Sequence, residues 1–239
     1  MSVLKLLALT ILPSAVATAL YIIAGIFFQG IPALDLFLVI VMFTLFPFEI
    51  IIVLSANRKE YGTYALQTAF SNNEQMEWWK IFLYGFVLFG FAGIMTVTVQ
   101  PLENWFMWGL SDKLYALLPP YFNWNNMELI KLYPKGILIF TGVFYIVLNG
   151  LIYPIIEEIY FRGYLTDRLK RYGMLAPIIV TVAFSLYHWW LPFNNIFRIC
   201  AFGVAAIVTY KKKNIYISMV FHCLCNLFSS VSFVIALMN

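Results

Sequence analysis

Residues 136–165 read GILIFTGVFYIVLNGLIYPIIEEIYFRGYL. The run from Gly136 to Ile156 carries no charge and is followed at once by Glu157, Glu158 and, four residues on, Arg162. A hydrocarbon core of about 30 Å takes roughly 20 helical residues to cross, so the uncharged part is of membrane length. Its apolar residues are continuous rather than alternating, which excludes a barrel strand and leaves a helix whose backbone bonds are satisfied internally. The acidic pair and the arginine at its end separate a passive membrane span from one that carries chemistry.

The rest of the chain repeats the pattern. Leu6–Leu34 and Ile81–Leu102 are uncharged runs of similar length. Leu36–Ala56 contains only Glu49 as a charged residue or histidine, Tyr172–Phe197 only His188, and Asn214–Asn239 only His222, while Ile199–Tyr210 is a shorter candidate. The 239 residues are 63% hydrophobic and 11% charged, with mean hydropathy +0.86, far from a soluble globular domain. The expected fold is all-α, a polytopic transmembrane bundle of about seven helices (six to eight). It reads as one domain over 1–239, with N-terminal membrane helices in 1–102 and a motif-bearing core in 140–230. Lys5 and Ala15-Val16-Ala17 resemble a signal-peptide pattern, but the apolar sequence runs on through Phe28, so the first segment reads as a retained helix.

Position matters more than the net charge of +4. Lys5, then Arg58, Lys59 and Lys80, then Arg168, Lys170 and Arg171, and finally Lys211, Lys212 and Lys213 all fall on one side of a seven-helix arrangement. The positive-inside rule makes that side, and the N-terminus, cytoplasmic. The segment 103–135 puts Lys113, Lys131 and Lys135 on the other side, balanced by Glu103, Asp112 and Glu128. These basic groups serve topology and lipid headgroups; nucleic acid is not an expected partner. Two loops stand out, 57–80 ending in Trp78-Trp79, and 103–135 with WFMWGL and LPPYFNWNN. They read as aromatic interfacial belts, or alternatively as a lid beside the site. Cys200, Cys223 and Cys225 lie within expected spans and read as packing residues rather than a disulfide framework.

Ionisable groups at membrane depth cost roughly 2.5 to 3.5 kcal/mol each on insertion scales and mark functional positions. Glu158 and Arg162 are four apart and share a helix face, whereas Glu157 points about 100° away. Glu158 is therefore expected to pair with Arg162, leaving Glu157 without that cation and suited to general-base work. The stretch FSLYHWW places Phe184 and His188 at the same spacing. If the helix continues to Tyr172 and turns at Gly173, Glu157 and His188 lie 15 residues on either side of the turn, roughly 22 Å along each arm, and face one another. VFHCLCN puts His222 and Asn226 on one face, a pair able to donate hydrogen bonds to a developing oxyanion. Glu49 reads as a cavity-lining residue, or one that pairs with Arg198 or snorkels to headgroups.

The ordered set Glu157-Glu158-Ile159-Tyr160-Phe161-Arg162, Phe184 to His188 and His222 to Asn226 resembles the EExxxR, FxxxH and HxxxN motifs of a known family. This is the CAAX-protease and bacteriocin-processing (abortive-infection type) family of intramembrane proteases, related to the Ras-converting prenyl-protein endopeptidase. The resemblance covers about 140–230. It implies an endopeptidase in which Glu157 and His188 activate water and His222 and Asn226 stabilise the oxyanion, with Glu158 and Arg162 in support. No cofactor is expected, although Glu157, His188 and His222 would make a zinc set of the His₂Glu type. No HExxH helix occurs. The expected partners are the lipid bilayer and a membrane-associated peptide or protein substrate, of the small-precursor, bacteriocin or signal-peptide kind, in a bacterial cell membrane. A non-catalytic scaffold of the same fold and a transporter are the competing readings. Retention of all four catalytic residue types argues against the first, and the lack of inverted repeats against the second.

Overall fold

The computed structural model describes residues 1–124, 126–190 and 194–239. Within them, the side chains at 111, 112, 114 and 115 lie outside the described set. The expectations placed on Asp112, on Asn125 in LPPYFNWNN and on residues 191–193 of the 172–197 run therefore fall outside the described residues.

Among the described residues, seven main helices form the bundle: α1 (Val3–Phe27), α2 (Ala33–Tyr61), α3 (Trp78–Leu117), α4 (Lys135–Arg168), α5 (Leu175–Tyr187), α6 (Asn195–Lys212) and α7 (Tyr216–Met238). Single helical turns lie at Gln67–Phe70 and Met127–Ile130, and no strand occurs among the described residues. Helices α1, α2, α3, α4 and α7 are long and apolar enough to cross a membrane. This is an all-helical membrane bundle. Its lipid face shows on α3, where Phe82, Phe86, Val87, Ile94 and Val97 are exposed.

Local chemistry sets the boundaries. Ser2 caps α1 by accepting the Lys5 N–H at 3.2 Å. Gly30 and Pro32 then break the expected Leu6–Leu34 run, so α1 stops at Phe27 and Leu34 belongs to α2. Thr44 interrupts α2 where Pro47 lacks the N–H for the Phe43 carbonyl. Gly62, at φ +76°, ends α2 in the left-handed conformation that glycine adopts most easily.

Helix α4 is regular at its ends and widens twice, to π-type turns over Leu148–Ile152 and Glu158–Leu165. Pro154 removes the bond to the Gly150 carbonyl, which accounts for the first; such wide turns concentrate at functional sites. The second re-aims the residues from Glu158 to Arg162. Helix continuation through Arg168 holds, and the chain reverses through a 3₁₀ turn, Lys170–Tyr172, and Gly173 at φ +55°.

Helix α7 packs against α3 and α4, α6 lies between α5 and α3, and α1 runs along α5 and α2. Between lipid-immersed helices, close backbone approach replaces hydrophobic driving force. At Gly163 of α4 a Cβ would stand 2.6 Å from the Ala69 carbonyl oxygen, so only glycine lets the 67–70 turn seat there. The core contains Tyr160, Phe161, Phe184, Tyr187 and Phe221, each at most 1% exposed.

The segment 103–135 departs from expectation. The α3 helix does not stop near Leu102 but continues to Leu117, through WFMWGL. Glu103 is consequently not a charge in an outer loop. It is 2% exposed, and its two carboxylate oxygens accept the N–H groups of Ile196 (2.9 Å) and Phe197 (2.8 Å), which cap the start of α6.

Candidate active site

Helix α4 presents Glu157, the last residue before the second wide turn, and Glu158, the first residue in it, to the bundle interior, at 6% and 0% exposure. Glu158 meets two partners, one as an ion pair and one as a hydrogen bond. Its Oε2 lies 3.4 Å from Arg162 Nε, one turn along the helix, and its Oε1 bonds His222 Nδ1 of α7 at 2.9 Å. Glu157 Oε2 lies 3.7 Å from His222 Nε2. The imidazole of His222 thus stands between the two carboxylates, with one nitrogen toward each. An ionised carboxylate only accepts, so the Nδ1 contact puts a proton on Nδ1 and, in the neutral ring, leaves Nε2 as an acceptor facing Glu157.

Helix α5 has 13 residues, about 20 Å, and ends at Tyr187 with His188 as its cap residue. His188 Nδ1 lies 2.8 Å from the Phe184 carbonyl oxygen. A carbonyl only accepts, so Nδ1 carries the proton and the His188 Nε2 lone pair is left open. The Phe184 ring joins the parts: its centroid lies 4.8 Å from that of His188, 5.7 Å from that of His222 and 4.3 Å from the Arg162 guanidinium carbon. Arg162, Glu158, His222, Phe184 and His188 therefore form one connected cluster. Asn226, one turn beyond His222 on α7, donates through Nδ2 to the Asn149 carbonyl at 3.0 Å, which orients its amide beside the first wide turn of α4.

Glu49 is drawn inward. It is 1% exposed and its Oε1 accepts the Tyr187 hydroxyl at 2.9 Å, so the expectation that it snorkels to headgroups is overturned. Glu49, Glu158, Arg162 and Arg198 are the ionisable side chains that neighbour the Glu157 carboxyl. Arg198 donates to the Ser185 carbonyl (3.2 Å) and to Asn195 Oδ1 (3.3 Å), among its interactions. A cation at the C-terminus of α5 complements the helix dipole and satisfies backbone that has no water to turn to.

Four residues of this region escaped sequence reasoning. Tyr187 adjoins His188 and orients Glu49, Asn149 orients Asn226, Phe202 packs at 4.8 Å from the His222 ring, and Glu103 caps α6. Only Tyr187 carried a signal, its place beside His188. Among the described residues, no three His, Cys, Asp or Glu side chains converge closely enough to hold a metal ion.

Residues 139–228 match the family model described as Rce1-like, type II CAAX prenyl endopeptidase Rce1-like. The matched segment runs from within α4 to within α7 and contains every residue of the cluster, together with Glu157 and Asn226, while Glu49 lies outside it. No curated protein and no solved structure matches the chain.

Proposed function

From the premise that segment 139–228 of this chain belongs to the CAAX-protease family, a family of peptide hydrolases, we propose an intramembrane endopeptidase that works through Glu157. The observation that carries this reading is the division of labour at the acidic pair. Glu158 holds Arg162 and His222, while Glu157 turns one helical step away.

In the proposed reaction, a water molecule between Glu157 and His188 Nε2 loses a proton to Glu157 as its oxygen attacks the peptide carbonyl carbon. The second amide N–H of Asn226, which Asn149 leaves over, donates to the oxyanion. His222 joins as a donor only when its ring holds both protons, and Glu158 favours that imidazolium as a buried carboxylate does in a catalytic triad. The acquired proton passes to the leaving nitrogen as the C–N bond breaks, giving a carboxylic acid and an amine. No acyl-enzyme forms.

The substrate proposed is a membrane-associated peptide precursor, processed in a bacterial membrane with the chain's N-terminus on the cytoplasmic side. Zinc is the alternative source of an activated water. The Nε2 lone pairs of His188 and His222 with Glu157 are the donor types it takes. Activity that survives stringent chelation, with no zinc found by elemental analysis, supports the metal-free reading; loss on chelation and recovery with zinc overturns it. The proteolytic reading is tested by peptide mass spectrometry of membranes carrying wild type or Glu157→Gln, in which at least one cleavage must depend on Glu157.

A further inference from the structure

Where α4 and α6 end and α7 begins, a cavity of about 260 Å³ opens beside the 67–73 segment. Its lining includes Arg162, Thr166, Asp167, Lys170, Thr209 and Lys213. Two buried donors in this wall have no hydrogen-bond partner. Arg162 has a side chain only 2% exposed, and neither Nη1 nor Nη2 is bonded; Thr209 is 6% exposed, and its Oγ1 is unbonded. A buried donor left unmade is costly, and more so when charged, so two such groups at one cavity point to an acceptor that completes them.

The charges choose the acceptor. Three cations line or rim the space. Against them stand Asp167, already bonded by Asn72 at 2.5 Å and Lys170 at 3.3 Å, and Glu74, which holds Lys213 at 2.7 Å. Glu158 meets Arg162 through Nε and leaves the two Nη nitrogens, the arm suited to bidentate contact with an oxyanion. The cavity also lies at the end of the membrane-length α4 helix, among basic residues, where headgroup phosphates sit.

We propose that this cavity binds a phosphate group, through Arg162 and Thr209 at its wall and Lys170 and Lys213 at its rim. The source is a phospholipid headgroup or free phosphate. The site is independent of the proteolytic reading and is tested by binding alone. The full-length protein in detergent is titrated with inorganic phosphate, against chloride at equal ionic strength, while thermal unfolding is followed. The same measurement is made in nanodiscs of phosphatidylcholine alone or mixed with phosphatidylglycerol.

Phosphate or phosphatidylglycerol raises the unfolding midpoint of the wild type. In Thr209→Val/Lys213→Ala the apparent affinity falls by about tenfold or more, as loss of a charge-assisted bond together with a hydroxyl contact implies, and in Lys135→Ala, at the opposite end of α4 from the cavity, it does not change. Thr209→Val keeps the side-chain shape and removes an unbonded hydroxyl, so that variant remains folded. A response to phosphate alone identifies the free ion as the ligand, and a response to the lipid alone identifies the headgroup. No response to either, or a response equal in the double variant, overturns the proposal.

Discussion

Replacing Glu158 by alanine isolates the structural half of the acidic pair. The change removes the carboxylate 3.4 Å from Arg162 Nε and 2.9 Å from His222 Nδ1, and leaves a guanidinium whose side chain is 2% exposed. Breaking a buried pair by removing one partner costs about 3–5 kcal/mol, because the other charge stays buried and uncompensated. The Phe184 ring still faces the guanidinium at 4.3 Å, which keeps the expectation at the lower end, about 3 kcal/mol. For a chain of this size, that lowers the thermal midpoint by about 6–12 °C. Glu157→Gln keeps the shape of its side chain and breaks no pair with a permanent cation, so its midpoint should stay within about 2 °C of wild type. Both variants are measured by thermal unfolding in the same detergent. Glu158→Ala at the wild-type midpoint, or Glu157→Gln the less stable of the two, would refute the assignment of separate roles to the two carboxylates.

Other expectations concern activity and the supporting shell. Glu157→Gln should lower turnover by about 10²–10⁴-fold, the usual worth of a general base, with the fold intact by circular dichroism. Asn226→Ala should reduce kcat by about 10²–10³-fold, as loss of one oxyanion donor does, with little change in KM. The charge swap Glu158→Arg/Arg162→Glu should recover more thermal stability than activity, because the pair is restored while the acceptor for His222 is displaced. Glu103→Gln should cost about 0.5–2 kcal/mol through a weakened cap on α6, read as a lowered midpoint in the same unfolding assay.

Much of the fold was legible because a membrane imposes one simple demand, about 20 apolar residues per crossing, and α1, α2, α3, α4 and α7 meet it. The pairing of Glu158 with Arg162 followed from helical periodicity alone. The position of His222 between the two carboxylates did not, because it depends on how α7 packs on α4. Periodicity equally hid the wide turns of α4, which break the 3.6-residue rule where the chemistry lies. Hydropathy marks where a helix can leave the membrane and not where it stops, so the sequence alone leaves Glu103 in a loop while α3 continues past it. The inward course of Glu49 is not visible in the sequence, because its partner, the Tyr187 hydroxyl, sits 138 residues away.

The most direct test of the central claim is peptide mass spectrometry on membranes expressing wild type, Glu157→Gln or Glu158→Gln at matched levels. Cleavage of at least one membrane-associated peptide in the wild type, absent in Glu157→Gln despite a wild-type thermal midpoint, is the expected result. An unchanged peptide profile in Glu157→Gln would contradict the assignment of Glu157 as the base and leave the fold as a scaffold.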